Sequence, residues 1–160
     1  MFHRRLLIIA AAAALMSGCA SVSSPVSVAD TIAANPALST LNGLIVKAGL
    51  TPTLQGAGPF TVFAPTNDAF KAVPAKTMGE LANNAAMLND VLTYHLIAAK
   101  LMSADVKNGP LKTVNGANIG ASKAGDFVTV EDSMVQTANM LASNGVVHTV
   151  DRVLMPPKKK

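Results

Sequence analysis

The rhythm of apolar and polar positions divides the chain into three stretches. Leu6 to Met16 (LLIIAAAAALM) is apolar throughout, with a basic start (MFHRR) before it and Ser17-Gly18 behind it. A charged start, a short apolar run and small residues at its end describe an export signal, here residues 1–18. The run falls short of the roughly 20 residues that a transmembrane helix needs. Ala20 to Ser27 (ASVSSPVS) is uncharged and rich in serine, which predicts a flexible tether over residues 19–27.

From Val28 onward helical spacing sets in. Residues 30–34 and 38–48 read as helices, the second with Leu38, Leu41, Ile45 and Ala48 on one stripe and Gly49 as its stop. Pro36 sits where a first helical turn tolerates it. Phe60 to Phe63, bounded by Gly58-Pro59 and Pro65, predicts a short strand. Side chains alternate along a strand, so Phe60, Val62 and Phe63 need cover on both faces: helices on one, other strands on the second. Thr66 is expected to cap a short helix through Phe70. Residues 83–93, with Met87, Leu88, Val91 and Leu92, predict a further helix.

Beyond Leu111 the texture turns to short apolar runs separated by Gly and Asn. Strands are expected over 111–114, 127–130, 134–137 and 146–155, with Asn115-Gly116 and Asn144-Gly145 as turns. Helices first and strands later predict an α+β domain over residues 28–157, closed by a basic tail at 158–160. A domain of this size buries about two-thirds of its unfolded surface and needs no disulfide or metal to hold it.

Charge narrows the function. The 160 residues carry a formal +4, yet Arg4, Arg5 and the three terminal lysines account for more than all of it; the body stands at −1. With no Trp, one Tyr and five Phe, it has neither the basic stripe nor the stacking rings of a nucleic-acid binder. Cys19 is the single cysteine and lies where the signal ends, so it must pair with another chain, stay free or be modified. The mature chain keeps only His95 and His148, with no HExxH, no GxSxG and no phosphate-cradling glycine loop. No catalysis, cofactor or metal site is expected.

Three motifs carry a resemblance. Gly58 to Phe70 reads GPFTVFAPTNDAF, Val91 to Leu96 reads VLTYHL, and Asn144 to Pro156 reads NGVVHTVDRVLMP. Together with NPALSTLNGLIVKAGL ahead of them, they resemble the signature blocks and central Tyr-His motif of the fasciclin domain. The resemblance covers the mature body. It implies a β-sandwich or wedge with helices packed along one side, and a secreted or surface protein concerned with adhesion and matrix contacts. It implies no reaction and no cofactor. Leu15 to Cys19 (LMSGC) separately resembles a bacterial lipobox, departing from it only at Met16. That resemblance implies lipid on Cys19, palmitate included. With no Asp directly after the cysteine, it further implies sorting to the outer membrane. Ordinary signal-peptidase cleavage nearby is the alternative.

The motif residues also have a physical reading. Asn67 and Asp68 suit capping and turn chemistry, with a polar contact surface as the second possibility. Asn144-Gly145 suits a tight turn. On a strand continuing to residue 155, His148 and Asp151 point to opposite faces, so they make no catalytic pair, and Asp151 is expected to anchor backbone groups. Tyr94 and His95, at the end of an apolar helix, are expected to be partly buried and to satisfy backbone groups, against the family reading of direct partner contact. Three roles stay open: a lipid-anchored module binding a protein or polymer partner, an envelope assembly or stress factor, and a carrier. The carrier would hold a small apolar ligand in a groove lined by Met78, Met87, Met102 and Met134. The terminal lysines are read as a solvated end.

Overall fold

A computed structural model describes residues 26–157. The export signal, Cys19 and the lysine tail lie outside the described residues. Val26 and Ser27, placed in the tether by composition, are already built into the domain. The Val26 carbonyl accepts from Ser143 N at 2.8 Å. Ser27 caps the first helix, α1 (Val28–Ala33), in a capping box with Asp30. The Ser27 hydroxyl and amide both donate to Asp30 and hold its carboxyl below the usual carboxylate range.

A 3-10 turn (Pro36–Leu38) leads into α2 (Ser39–Lys47), which stops at Gly49 with φ +69, as the glycine predicts. Next come α3 (Thr51–Gln55) and β1 (Phe60–Pro65). The helix after β1 is α4 (Asn67–Lys71), with α5 (Ala75–Asn83) and α6 (Ala85–Tyr94) behind it. Two of these helices were not legible. The α3 segment is five residues long with Pro at its start, and α5 has only Met78 and Leu81 as large apolar residues and buries only Leu81, so both apolar signals are short.

Thr66 caps α4 as expected, its hydroxyl accepting from Ala69 N at 3.3 Å. Thr66→Ala is therefore predicted to lower stability by about 1 kcal/mol, and Thr66→Ser to restore most of it. Urea unfolding of the two variants checks this; equal loss in both would mean that the hydroxyl is not the stabilising group.

The remaining strands are β2 (Leu96–Ile97), β3 (Gly109–Lys112), β4 (Asn118–Ala124), β5 (Phe127–Val130), β6 (Ser133–Ala142) and β7 (Gly145–Val150). They form one seven-stranded mixed sheet in the order β2-β1-β7-β6-β5-β4-β3. β1 and β7 run parallel, with Phe63 beside His148, and the other pairs are antiparallel. β4 was missed because NIGASKA is small and weakly β-prone; only the buried alternation of Ile119 and Ala121 marks it. β7 ends at Val150 rather than continuing to 155, because Asp151 and Arg152 bend away.

The expected cover on both faces of β1 is what the structure has. Val62 and Ala64 face a core made with Val28, Ile32, Leu41, Ile45, Leu88 and Leu92 of the helices. Phe63 faces a second core with Ile119, Val128, Val130 and Val150, so the sheet folds back over itself. The two ends of the sheet nearly meet: Val114 N donates to Leu96 O at 2.8 Å and Asn115 N to Thr93 O at 3.3 Å. The result is an α+β fold close to a barrel, with helices along one side.

Candidate functional site

Asn144 sits in the turn between β6 and β7, and its side chain does more than make a turn. Its Oδ1 accepts from Val28 N at 2.8 Å, at the start of α1. Its Nδ2 donates to Leu54 O and Gly56 O, each at 2.7 Å, at the end of α3. The Asn144 carbonyl accepts from Phe60 N at 3.0 Å. One residue thus ties two helices and β1 to the hairpin. Gly145 follows because a Cβ there would lie 2.0 Å from the Phe60 carbonyl oxygen. Only glycine lets the two strands approach so closely.

Asn67 plays a similar part on the other side of the helices. Leu38, at the N-cap of α2, has no side-chain acceptor to offer. Asn67 supplies one from α4, its Oδ1 accepting from Thr40 N at 3.0 Å while Nδ2 donates to Pro36 O at 2.9 Å. Asp68 is different: it is exposed and pairs with Lys71 at 2.8 Å. An exposed pair of this kind adds little to stability.

His148 stacks on Phe63, with ring centroids 5.5 Å apart. Its Nε2–H donates to Leu101 O at 2.7 Å and its Nδ1 accepts from Asn139 N at 3.2 Å. The donor at Asn139 fixes the tautomer, because a protonated Nδ1 has nothing to accept with. Asn139 lies in the irregular middle of β6 at φ +59, so the imidazole replaces a ladder bond that the bulge removes. Leu101 is held from both sides, since its N–H donates to the Thr61 hydroxyl at 2.8 Å. Burial lowers the pKa of His148, against the opposing pull of the Leu101 bond.

Tyr94 and His95 close α6. Both are buried, at 3% and 2% exposure. The Tyr94 hydroxyl donates to Asn118 O at 3.3 Å, and burial, then the neighbouring Glu131 carboxylate, raise its pKa. His95 Nδ1–H donates to Val91 O at 2.7 Å, and Nε2 accepts from Leu154 N at 2.9 Å. Burial pushes its pKa down to about 4, the Val91 bond opposing. Val91, Leu92, Leu96 and Ile97 are buried too, so the motif presents no apolar surface.

Asp151 accepts from Met134 N at 2.7 Å and pins the bend after β7 to the start of β6. His148 and Asp151 share no hydrogen bond; His148 meets the middle of β6 at Asn139 and Asp151 meets its start at Met134. The motif residues are therefore dispersed over four places in the fold rather than gathered in one cleft. Among the described residues no three His, Cys, Asp or Glu side chains form a metal-ligating group.

The methionine groove does not form. Met78 packs on the helix-side core and Met134 is exposed on β6, while Met87 lines a surface groove without the other three. That groove, of about 770 Å³, runs between α5, α6 and the C-terminal segment, past Glu80, Met87, Asp90, Asn115 and Met155. Sequence reading missed it, because α5 itself was not recognised.

A model of the fasciclin domain matches residues 36–156. The protein sll1483 of Synechocystis sp. is 38% identical over 140 residues, which cover 86% of this chain and 78% of that protein. The cell surface glycolipoprotein MPB83 of Mycobacterium bovis is 36% identical over 135 residues, 81% of this chain and 60% of that one. In structure, the chain resembles a FAS1 domain pair from the insect cell adhesion molecule fasciclin I. The TM-score is 0.65 at 15% identity, over 82% of this chain and 51% of that one. The chain belongs to the fasciclin domain family.

Proposed function

We propose that the protein is a lipid-anchored, extracytoplasmic interaction module that makes adhesive or envelope contacts with a protein or polymer partner and catalyses no reaction. The observation that carries this reading is the commitment of the motif residues to internal bonds. Both ring nitrogens of His95 and of His148 are engaged by backbone groups, so neither imidazole is free to move a proton for a substrate. What remains for function is the outer surface. The groove between α5 and α6, of about 770 Å³, is a concavity on it, and methionine side chains adapt to varied partners. Tyr94, His95, Asn67, Asn144, Gly145, His148 and Asp151 act here as the frame behind that surface, and Asp68, unlike them, is exposed to solvent.

The anchor is supported by the apolar run of residues 6–16 followed by Ser17-Gly18-Cys19, and by a relative whose name describes a cell surface glycolipoprotein. Several acyl chains on one residue hold a protein stably to a bilayer, where a single chain binds marginally. Cys19→Ser is predicted to abolish fatty-acid labelling and release the protein from membranes. Fractionation after labelling tests this: an unlabelled wild type, retained as well as the variant, would sink the anchor. A test of the contact surface is Met87→Lys, expected to weaken capture of the partner from envelope extracts without shifting the unfolding midpoint.

A further inference from the structure

Behind His95 lies a cavity of about 40 Å³, bounded by α2, α3 and α6 on one side and by β1 and β2 on the other. Leu41, Ile45, Leu54, Leu92, Leu96 and Val114 make most of its wall. It sits at the seam of the sheet, where the Val114–Leu96 hydrogen bond is the tie between β2 and the chain leaving β3. Val114 and Thr53 line the cavity and are both exposed, which places its mouth between them.

The chemistry of the wall is uniform. Of the polar side chains that reach it, Thr93 donates its hydroxyl to Asn89 O at 2.6 Å, and His95 has both ring nitrogens engaged. Thr53 stands at the rim. A water molecule inside would find almost nothing to bond, and cavities of that kind stay dry. By the same measure one water needs roughly 10 to 15 Å³, so the space exceeds a single water about threefold yet is far smaller than the roughly 150 Å³ of a cavity that takes benzene; it has room for the tip of a chain and not for a ring. No aromatic side chain lines it, so nothing there favours a ring by stacking.

We infer that this cavity is a binding site for the end of an alkyl chain, belonging to an amphiphile whose polar head remains in water at the mouth between Thr53 and Val114. Aliphatic walls without an unpaired polar atom select for methylene and methyl groups by burial alone. The site is distinct from the groove between α5 and α6 and stands or falls independently of the adhesive reading. The alkyl chain has two possible sources, a free fatty-acid-like amphiphile or a bilayer lipid.

The test uses the full chain carrying Cys19→Ser, so that no acyl group of its own competes. Methyl spectra are followed during titration with sodium decanoate below its micelle concentration, and in a second arm with phosphatidylglycerol vesicles. Saturable shifts confined to Ile45, Leu54, Leu92, Leu96 and Val114 are expected. Thr53→Phe and Val114→Trp add bulk at exposed rim positions and should weaken binding by about tenfold, the affinity carried by roughly two buried methylenes. Saturation by decanoate alone assigns the site to soluble amphiphiles, and saturation by vesicles assigns it to bilayer lipid; both support it. Absence of saturable shifts at these methyls in both arms overturns it. So does undiminished binding in both rim variants, provided that their spectra show them folded.

Discussion

Replacing Asn144 with alanine is expected to lower stability by about 3 to 4 kcal/mol, several times what a turn residue ordinarily contributes. The reason is the number of elements that converge on one amide. Val28 N can only donate, and Leu54 O and Gly56 O can only accept, so the orientation of the amide is dictated by its partners. Each bond is worth about 1 kcal/mol net, and the partners left behind, part-buried at the ends of α1 and α3, add the cost of unpaired groups. Asn144→Asp sharpens the test. It keeps the acceptor for Val28 N but turns a second oxygen toward two carbonyls, so it should be at least as damaging as alanine. Chemical unfolding of both variants reads this directly. A loss below about 1 kcal/mol in Asn144→Ala, the value of a single bond, would show that the turn conformation matters and the side chain does not.

Acid should weaken the protein well before its carboxylates titrate. In the unfolded chain His95 has an ordinary pKa near 6.5, and in the fold it is held at about 4. Above the unfolded value the ring is neutral in both states and contributes no pH dependence. As pH falls from 6.5 toward 4, the unfolded state binds a proton that the native state refuses, and stability drops with it. At about 1.4 kcal/mol per pH unit, the loss over that window is about 3 kcal/mol. His148, also lowered by burial, acts in the same direction. The structural consequence is specific: a protonated His95 can no longer accept from Leu154 N, so the segment after β7 loses its tie to α6. Unfolding midpoints measured across this range should fall steadily. In a His95→Gln variant, already less stable at neutral pH, the slope should be reduced to the part His148 supplies. A flat profile in the wild type would contradict the burial of both rings.

The sequence and the structure agree where apolar patterning was strong and part where it was not. Leu41 and Ile45 on one stripe, Thr66 before a short helix, and the Phe60–Phe63 run needing cover on both faces each rest on short-range rules, and each appears in the fold. β4 and α5 escaped because their burial rests on two residues and one residue, too few to set a period. Asn144 was legible as a turn from the Asn-Gly pair, but its partners lie 88 to 116 residues away, beyond any local pattern. The same holds for Asn67, which caps a helix 27 residues earlier, and for His148, which stands in for a strand bond at a bulge. The expected dispersal of His148 and Asp151 rested on a strand longer than the real one; β7 stops before Asp151, and that residue binds the neighbouring strand instead.

The central claim is that the Tyr-His motif and the histidine of the last strand are internal ties of the fold. Long-range 1H–15N spectra of the ring nitrogens test it most directly, because they report which nitrogen carries the proton. Near neutral pH, His95 is predicted to be protonated at Nδ1 alone, facing Val91 O, and His148 at Nε2 alone, facing Leu101 O. Neither ring should take up a second proton until the pH is well below the ordinary histidine value. Rings that exchange between tautomers, or that titrate near 6.5 as a solvent-exposed histidine does, would contradict the account.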